Sequence, residues 1–221
     1  MSDIEERIAA VRARIAAACE RGGRGPGEVT IIAVTKGFGP ESVRAAVAAG
    51  LRDIGENRVQ EAEVKRAALP DLPGDVRWHM IGHLQTNKVK TALSLFDTIQ
   101  SVDSIHLAEA ISRRAPAPVP AFLEVNVAGE ASKTGFTPSD LPSAYEAIGR
   151  LSGLDVRGLM TVAPISAAPE DVRPVFRKLA AEARQLGLQE LSMGMTDDFE
   201  VAVEEGATYV RLGRLLFGER S

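Results

Sequence analysis

Ile31-Ile32-Ala33-Val34-Thr35-Lys36-Gly37 is a short apolar, β-branched run that ends in a lysine and then a glycine. Bounded by turn residues, such a run reads as a strand buried on both faces. A lysine at the carboxyl end of a buried strand loses hydration, which disfavours the ammonium form. The free amine is the form that attacks an aldehyde, so Lys36 is suited to Schiff-base chemistry. The plain structural alternative is a packed stem with its head in water. Two further stretches suit an anion: Leu191-Ser192-Met193-Gly194-Met195-Thr196-Asp197-Asp198 and Arg211-Leu212-Gly213-Arg214. Small residues let backbone N–H groups approach an anion, and hydroxyls add donors. Thr196 and Asp197 equally fit a helix cap, and the two roles are compatible. His79 and His83 stand four apart, but they straddle a strand end and a glycine. A strand does not bring such residues onto one face, so a metal pair is not expected.

The elements that must position these residues alternate. Strand-like runs fall at 29–35, 51–55, 76–81, 97–101, 119–127, 156–162, 190–193 and 208–212. Helical stretches lie between them, near 40–49, up to about 68, then 86–94, 104–114, 169–186 and 197–205. After the fifth strand, Thr137 is the expected N-cap, with Pro138 at the first helical position. A separate amphipathic helix over 2–21 precedes the first strand, with Ile4, Ile8, Val11 and Ile15 at helical spacing and Ser2 or Asp3 as its cap. The glycine-rich segment Gly22–Gly27 follows a helix and precedes a strand, the reverse of a phosphate loop, and reads as a connection. Eight strand–helix units imply a parallel α/β sheet with right-handed crossovers. An open doubly wound sheet is conceivable. The count of eight, with no GxGxxG after the first strand, favours a single closed (β/α)8 TIM barrel. The expected organisation is one domain over 1–221: an N-terminal helix and connection over 1–28, and the barrel over 29–218.

In such a barrel the carboxyl ends of the strands carry function. They hold Lys36, Glu56, Asn57, His79, His83, Ser101, Asn126, Thr161, Ser192 and Arg211. Loops seven and eight are the usual phosphate site of the fold. A lysine after strand one facing a phosphate cradle fits pyridoxal 5′-phosphate, whose aldehyde meets the amine while the phosphate anchors the far end. His106 falls on an outer helix and reads as solvated; Lys133 and Gly135 form a polar loop over the rim, either an ordinary surface loop or a contact for a second ligand.

Composition narrows the classes. The chain has 221 residues, a formal net charge of −4 and one cysteine, Cys19. No basic block points to nucleic acid, and one cysteine excludes an internal disulfide framework. The charged amino terminus has no signal-peptide core, and no segment is apolar enough for a membrane span. A soluble cytoplasmic protein is the expectation.

The segments A33-V34-T35-K36, I54-G55-E56-N57-R58-V59-Q60-E61, W78-H79-M80-I81-G82-H83-L84-Q85-T86-N87-K88, G158-L159-M160-T161, L191-S192-M193-G194-M195 and V210-R211-L212-G213 together resemble the pyridoxal phosphate homeostasis protein family. Those proteins are single-domain relatives of the alanine racemase barrel, of pyridoxal phosphate fold type III. The resemblance spans Val29 to Gly218. It implies that Lys36 binds the cofactor covalently as an internal aldimine. It implies that Ser192, the backbone of Met193, Gly194, Met195 and Thr196, and Gly213 hold the phosphate. Arg211 would sit at the pyridine nitrogen, with Asn57 and His79 completing the cofactor site. Four functions are compatible with this resemblance: a cofactor carrier, a racemase or related enzyme, a Schiff-base aldolase, and a regulatory partner-binding protein. Racemisation needs a base on each face of the cofactor. Tyr209 shares the face of Arg211 and should point down into the barrel, Tyr145 lies on an outer helix, and no second domain follows strand eight. The expected function is therefore pyridoxal phosphate homeostasis and carriage without robust turnover. Apo pyridoxal phosphate enzymes are the candidate recipients, and the chain is expected to be a monomer.

Overall fold

A computed structural model of the chain describes residues 2–130, 133–166 and 168–219. Eight parallel strands close a barrel in sequential order: β1 (Thr30–Val34), β2 (Asp53–Glu56), β3 (Arg77–Met80), β4 (Thr98–Val102), β5 (Val119–Glu124), β6 (Leu154–Met160), β7 (Glu190–Ser192) and β8 (Tyr209–Leu212). Closure is made by β1, where Ile32 stands opposite Asp53 on one side and Arg211 on the other. One α-helix follows each strand: α2 (Pro40–Ala48), α3 (Val59–Ala68), α4 (Val89–Leu95), α5 (Ile105–Ser112), α6 (Leu141–Gly149), α7 (Arg173–Gln185), α8 (Phe199–Glu204) and α9 (Arg214–Phe217). The N-terminal helix α1 (Asp3–Arg21) is capped by Ser2, whose N–H donates to Glu5 Oε2 at 2.7 Å. It packs on α8 and α9. Arg14 reaches Glu200 at 2.9 Å and lies over the Phe199 ring.

Alternation along each strand sorts side chains into two sets. Outward residues such as Ile31, Ala33, Ile54, Met80, Ile99, Leu123, Leu159 and Val210 join one apolar cluster with Val43, Leu107, Phe176 and Phe199 of the helices. Ile32, Val34, Phe122 and Met160 are equally buried but stand apart from that cluster, inside the barrel. Phe122 on β5 meets Tyr209 on β8 at 5.5 Å between ring centroids. Those strands are not neighbours, so this contact crosses the interior. Tyr209 thus points into the barrel, as its phase with Arg211 predicts.

Several boundaries differ from the sequence reading. The helix after β5 starts at Leu141, not beside Thr137. Phe136 is still tied to β5, its N–H donating to Glu124 O at 2.8 Å. The chain must turn first, and the Thr137 hydroxyl accepts from the Asp140 N–H within that turn. Residues Pro169–Val172 form a 3-10 turn ahead of α7, β6 begins two residues early at Leu154, and α9 was not anticipated. No described helix is long and apolar enough to cross a membrane. Among the described residues no group of three or more His, Cys, Asp or Glu side chains could hold a metal.

Candidate functional site

A pocket of about 680 Å³ opens at the carboxyl ends of the strands. Lys36, Asn57, Met195, Thr196, Arg211 and Gly213 line it together, as do Lys133 and Arg214. Four cations and two carboxylates, Asp197 and Glu219, thus line it; Arg214 pairs with Asp197 at 2.7 Å and Lys133 with Glu130 at 2.5 Å.

Lys36 lies just past β1, and the backbone on each side of it is clamped. Thr35 donates through its hydroxyl to Glu56, while its carbonyl accepts from Lys65 Nζ at 2.7 Å. Lys65 also pairs with Glu56, both being almost fully buried. Burial pushes the Glu56 carboxyl up, and the hydrogen bonds from Lys65 and Thr35 partly offset this. On the other side, the Gly37 N–H donates to Glu61 Oε2 at 3.0 Å. The sequence reading named Glu56 on the rim but missed the clamp; its signal is the acidic spacing of Glu56 and Glu61.

Asn57 follows Glu56 directly, and its Oδ1 is buried with no hydrogen-bond partner among the described residues. Gly82, after β3, presses on the same backbone: a Cβ there would lie 2.4 Å from Asn57 O. A side chain at 82 would displace either Asn57 or the loop.

On β8, the strand beside β1, Arg211 is 4% exposed. Its Nη1 donates to both the carbonyl and the hydroxyl of Ser192, each at 2.7 Å, and its Nη2 donates to Thr161 O at 2.7 Å. Burial lowers Arg211 to about 10, against the pull of Asp198 and Glu124, so it remains a cation at neutral pH. Below it a polar chain runs across the interior. Ser192 Oγ donates to Gln100 Oε1 at 2.6 Å, Gln100 Nε2 lies 3.1 Å from His79 Nδ1, and His79 Nε2 lies 2.9 Å from Asp53 Oδ1. Burial would raise Asp53, but hydrogen bonds from His79 and Arg77 hold it below the usual carboxylate range.

Ser192 and His79, expected at the cofactor, are not among the residues lining this pocket; the Ser192 hydroxyl is fully buried and engaged by Arg211 and Gln100. The Met193 N–H donates to Tyr209 O and the Met195 N–H to Asp198 Oδ1 at 2.6 Å, so neither amide is spare. Among the described residues the amides of Thr196 and Gly213 donate to no protein group. Gly194 shapes the turn between Met193 and Met195: its φ is +89°, and a Cβ would lie 2.6 Å from that of Ala202. Its carbonyl accepts from the Arg211 N–H at 3.0 Å.

Glu124 was missed. It shares the inward phase of Phe122 at the end of β5, and burial followed by Asp103 raises it to about 7, against Arg211 and His83. Alternation in the run Ala121–Val127 was the available signal.

A family model, that of the alanine racemase N-terminal domain, matches residues 7–221. The pyridoxal phosphate homeostasis protein of Pseudomonas aeruginosa is 46% identical over 225 residues, spanning 100% of this chain and 97% of that protein. Among solved structures, PipY of Synechococcus elongatus PCC7942 with PLP bound superimposes with a TM-score of 0.85 at 38% identity, covering 98% of this chain and 100% of that one. An alanine racemase of Clostridium difficile 630 has a TM-score of 0.68 at 14% identity, covering 87% of this chain and 52% of that one, a likeness of fold alone.

Proposed function

The chain belongs to the pyridoxal phosphate homeostasis protein family, and from that premise we propose that it binds pyridoxal 5′-phosphate in the carboxyl-end pocket and holds it for carriage. One observation carries the reading: Lys36, Arg211 and the unspent amides of Thr196 and Gly213 open on one cationic space large enough for the cofactor. The buried, unpartnered Oδ1 of Asn57 supports the fit. Bound there, pyridoxal phosphate supplies an aldehyde to the Lys36 amine, a phosphate to the loops after β7 and β8, and a ring nitrogen to Arg211. Covalent capture falls to Lys36, with loss of water. Thr196, Gly213 and the turn at Gly194 frame the anion, while Asn57 faces the ring. Met193, Met195, Ser192 and His79 support these groups from behind.

The same reading takes the chain as one cytoplasmic, monomeric domain that passes the cofactor to apo-enzymes and turns over little. Arginine can only donate, and a cation beside the ring nitrogen opposes its protonation, which weakens the ring as an electron sink. Among the described residues no tyrosine lines the pocket. Tyr209 lies below it, its ring 6.1 Å from that of His79.

Incubation with pyridoxal phosphate should turn the protein yellow, and borohydride should fix the label on Lys36. Absence of the band, or a spectrum unchanged in Lys36→Ala, overturns the proposal. Racemisation of any amino acid at about 1 per second or faster, the low end of ordinary enzymes, would replace carriage with catalysis.

A further inference from the structure

Arg211 carries five N–H donors and no acceptor. Its Nη1 gives one hydrogen to the Ser192 hydroxyl oxygen at 2.7 Å. That oxygen accepts from Arg211, so its own proton is directed to Gln100 Oε1 at 2.6 Å. The amide of Gln100 is thereby oriented, and its nitrogen must face His79 Nδ1 at 3.1 Å. Nδ1 must accept, which leaves the imidazole proton on Nε2, 2.9 Å from Asp53 Oδ1. Asp53 closes the chain as an anion paired with Arg77 at 2.8 Å. Every link points the same way because a guanidinium starts the chain and a carboxylate ends it. His79 is 3% exposed, and Gln100 and Ser192 are fully buried. A reversed link would leave a buried donor facing a donor.

We propose that Gln100 and His79 are positioning residues for Arg211: a one-directional hydrogen-bond chain, running through the barrel interior by way of β7, β4 and β3 and anchored at Asp53 on β2, fixes the guanidinium at the pocket wall. Neither residue lines the pocket; each acts through Ser192. Gln100 fixes the Ser192 proton, so a lone pair of the hydroxyl always faces Arg211. His79 fixes which end of the Gln100 amide does so. The remaining Arg211 N–H groups are thus held in one plane toward the bound molecule. The inference rests on the proposed cofactor reading for what those groups meet, but not for the chain itself.

The test has two arms. In the first, ring-nitrogen NMR of the cofactor-free protein reports the His79 tautomer. The wild type should show the proton on Nε2 alone. Ser192→Ala frees the Gln100 amide to turn, so a second signal with Nδ1 protonated should appear, although Ser192 makes no hydrogen bond to His79. A wild-type proton on Nδ1, or a His79 signal unmoved by Ser192→Ala, overturns the chain. In the second arm, pyridoxal phosphate is titrated and its absorbance followed. Gln100→Leu should weaken binding about tenfold, the loss expected when a hydrogen bond to a charged group is disturbed, and shift the absorption maximum. Wild-type affinity and spectrum in Gln100→Leu overturn the positioning role. Failure of the wild type to bind pyridoxal phosphate would defeat the proposed function, and the first arm would still decide the chain. Ser192→Ala also keeps the test decisive should Gln100→Leu not fold.

Discussion

Lys65→Met removes the ammonium that joins Glu56 to the Thr35 carbonyl while keeping most of the volume of the stem. Glu56 is fully buried, and its Oε2 already has no partner among the described residues. Left with the Thr35 hydroxyl alone, it folds in the neutral form. Taking up a proton at pH 7 against the ordinary value of 4.5 costs about 1.36 kcal/mol per pH unit over 2.5 units, or about 3.4 kcal/mol. That falls within the roughly 3–5 kcal/mol lost when one partner of a buried pair is removed. In the variant the folded carboxyl holds a proton that the unfolded chain releases, so stability is full below pH 4.5 and declines as pH rises. The deficit should shrink to about 1.4 kcal/mol at pH 5.5. Wild type has the same sign but a shallower slope, because Lys65 and Thr35 offset part of the burial. Urea unfolding at pH 5.5, 7 and 8 measures the deficit. Pyridoxal phosphate titration should show weaker binding, since Thr35 no longer holds the backbone at Lys36. A deficit that is flat with pH, or below about 1 kcal/mol at pH 7, refutes the clamp.

Gly82→Ala places a Cβ 2.4 Å from Asn57 O; it should destabilise by about 1–3 kcal/mol and weaken pyridoxal phosphate, while Gly27→Ala, with open space around it, should not change binding. Thermal melts and cofactor titration on both variants check this, and equal behaviour would show that Asn57 is not held by this contact. Glu124 is raised to about 7 when folded, so its contribution is full below pH 4.5 and lost as pH rises through 7, by at most ~3 kcal/mol. Glu124→Gln should flatten the stability profile over that window, and an unchanged slope would place the titration elsewhere.

The barrel was legible because its signals are local. Runs such as Ile31–Val34 are β-branched and short, glycines end the helices, and each period of strand, turn and helix can be counted along the chain. Lys36, Asn57, Thr196, Arg211 and Gly213 were legible because carboxyl strand ends must share a rim once the barrel closes. What escaped depends on partners far apart in sequence. Thr35 meets Glu56 across 21 residues, and Ser192 meets Gln100 across 92. Ser192 was assigned to the phosphate because the family resemblance implied it, in a stretch whose small residues and hydroxyls suit an anion. Its depth follows from strand phase: β7 ends at Ser192, which therefore faces the interior one layer below the rim. The start of α6 was misread because a Thr-Pro pair marks a helix start, whereas the bridge between Val125 and Phe136 holds the preceding residues extended.

The two ends of the pocket are held by opposite faces of the same sheet. Lys36 takes its position from the outward face, where Glu56 and Thr35 meet Lys65 on α3. Arg211 takes its position from the inward face, through Ser192 and the chain to Asp53. The two sets share no residue, although Asp53 and Glu56 lie on one strand, three residues apart. On the proposed reading, the first set holds the backbone at the capturing amine and the second holds the cation that meets the ring nitrogen. Catalysis on the cofactor would ask for more: a second base poised across the ring from Lys36. The carboxyl groups that act on Arg211, Asp198 and Glu124, do not line the pocket.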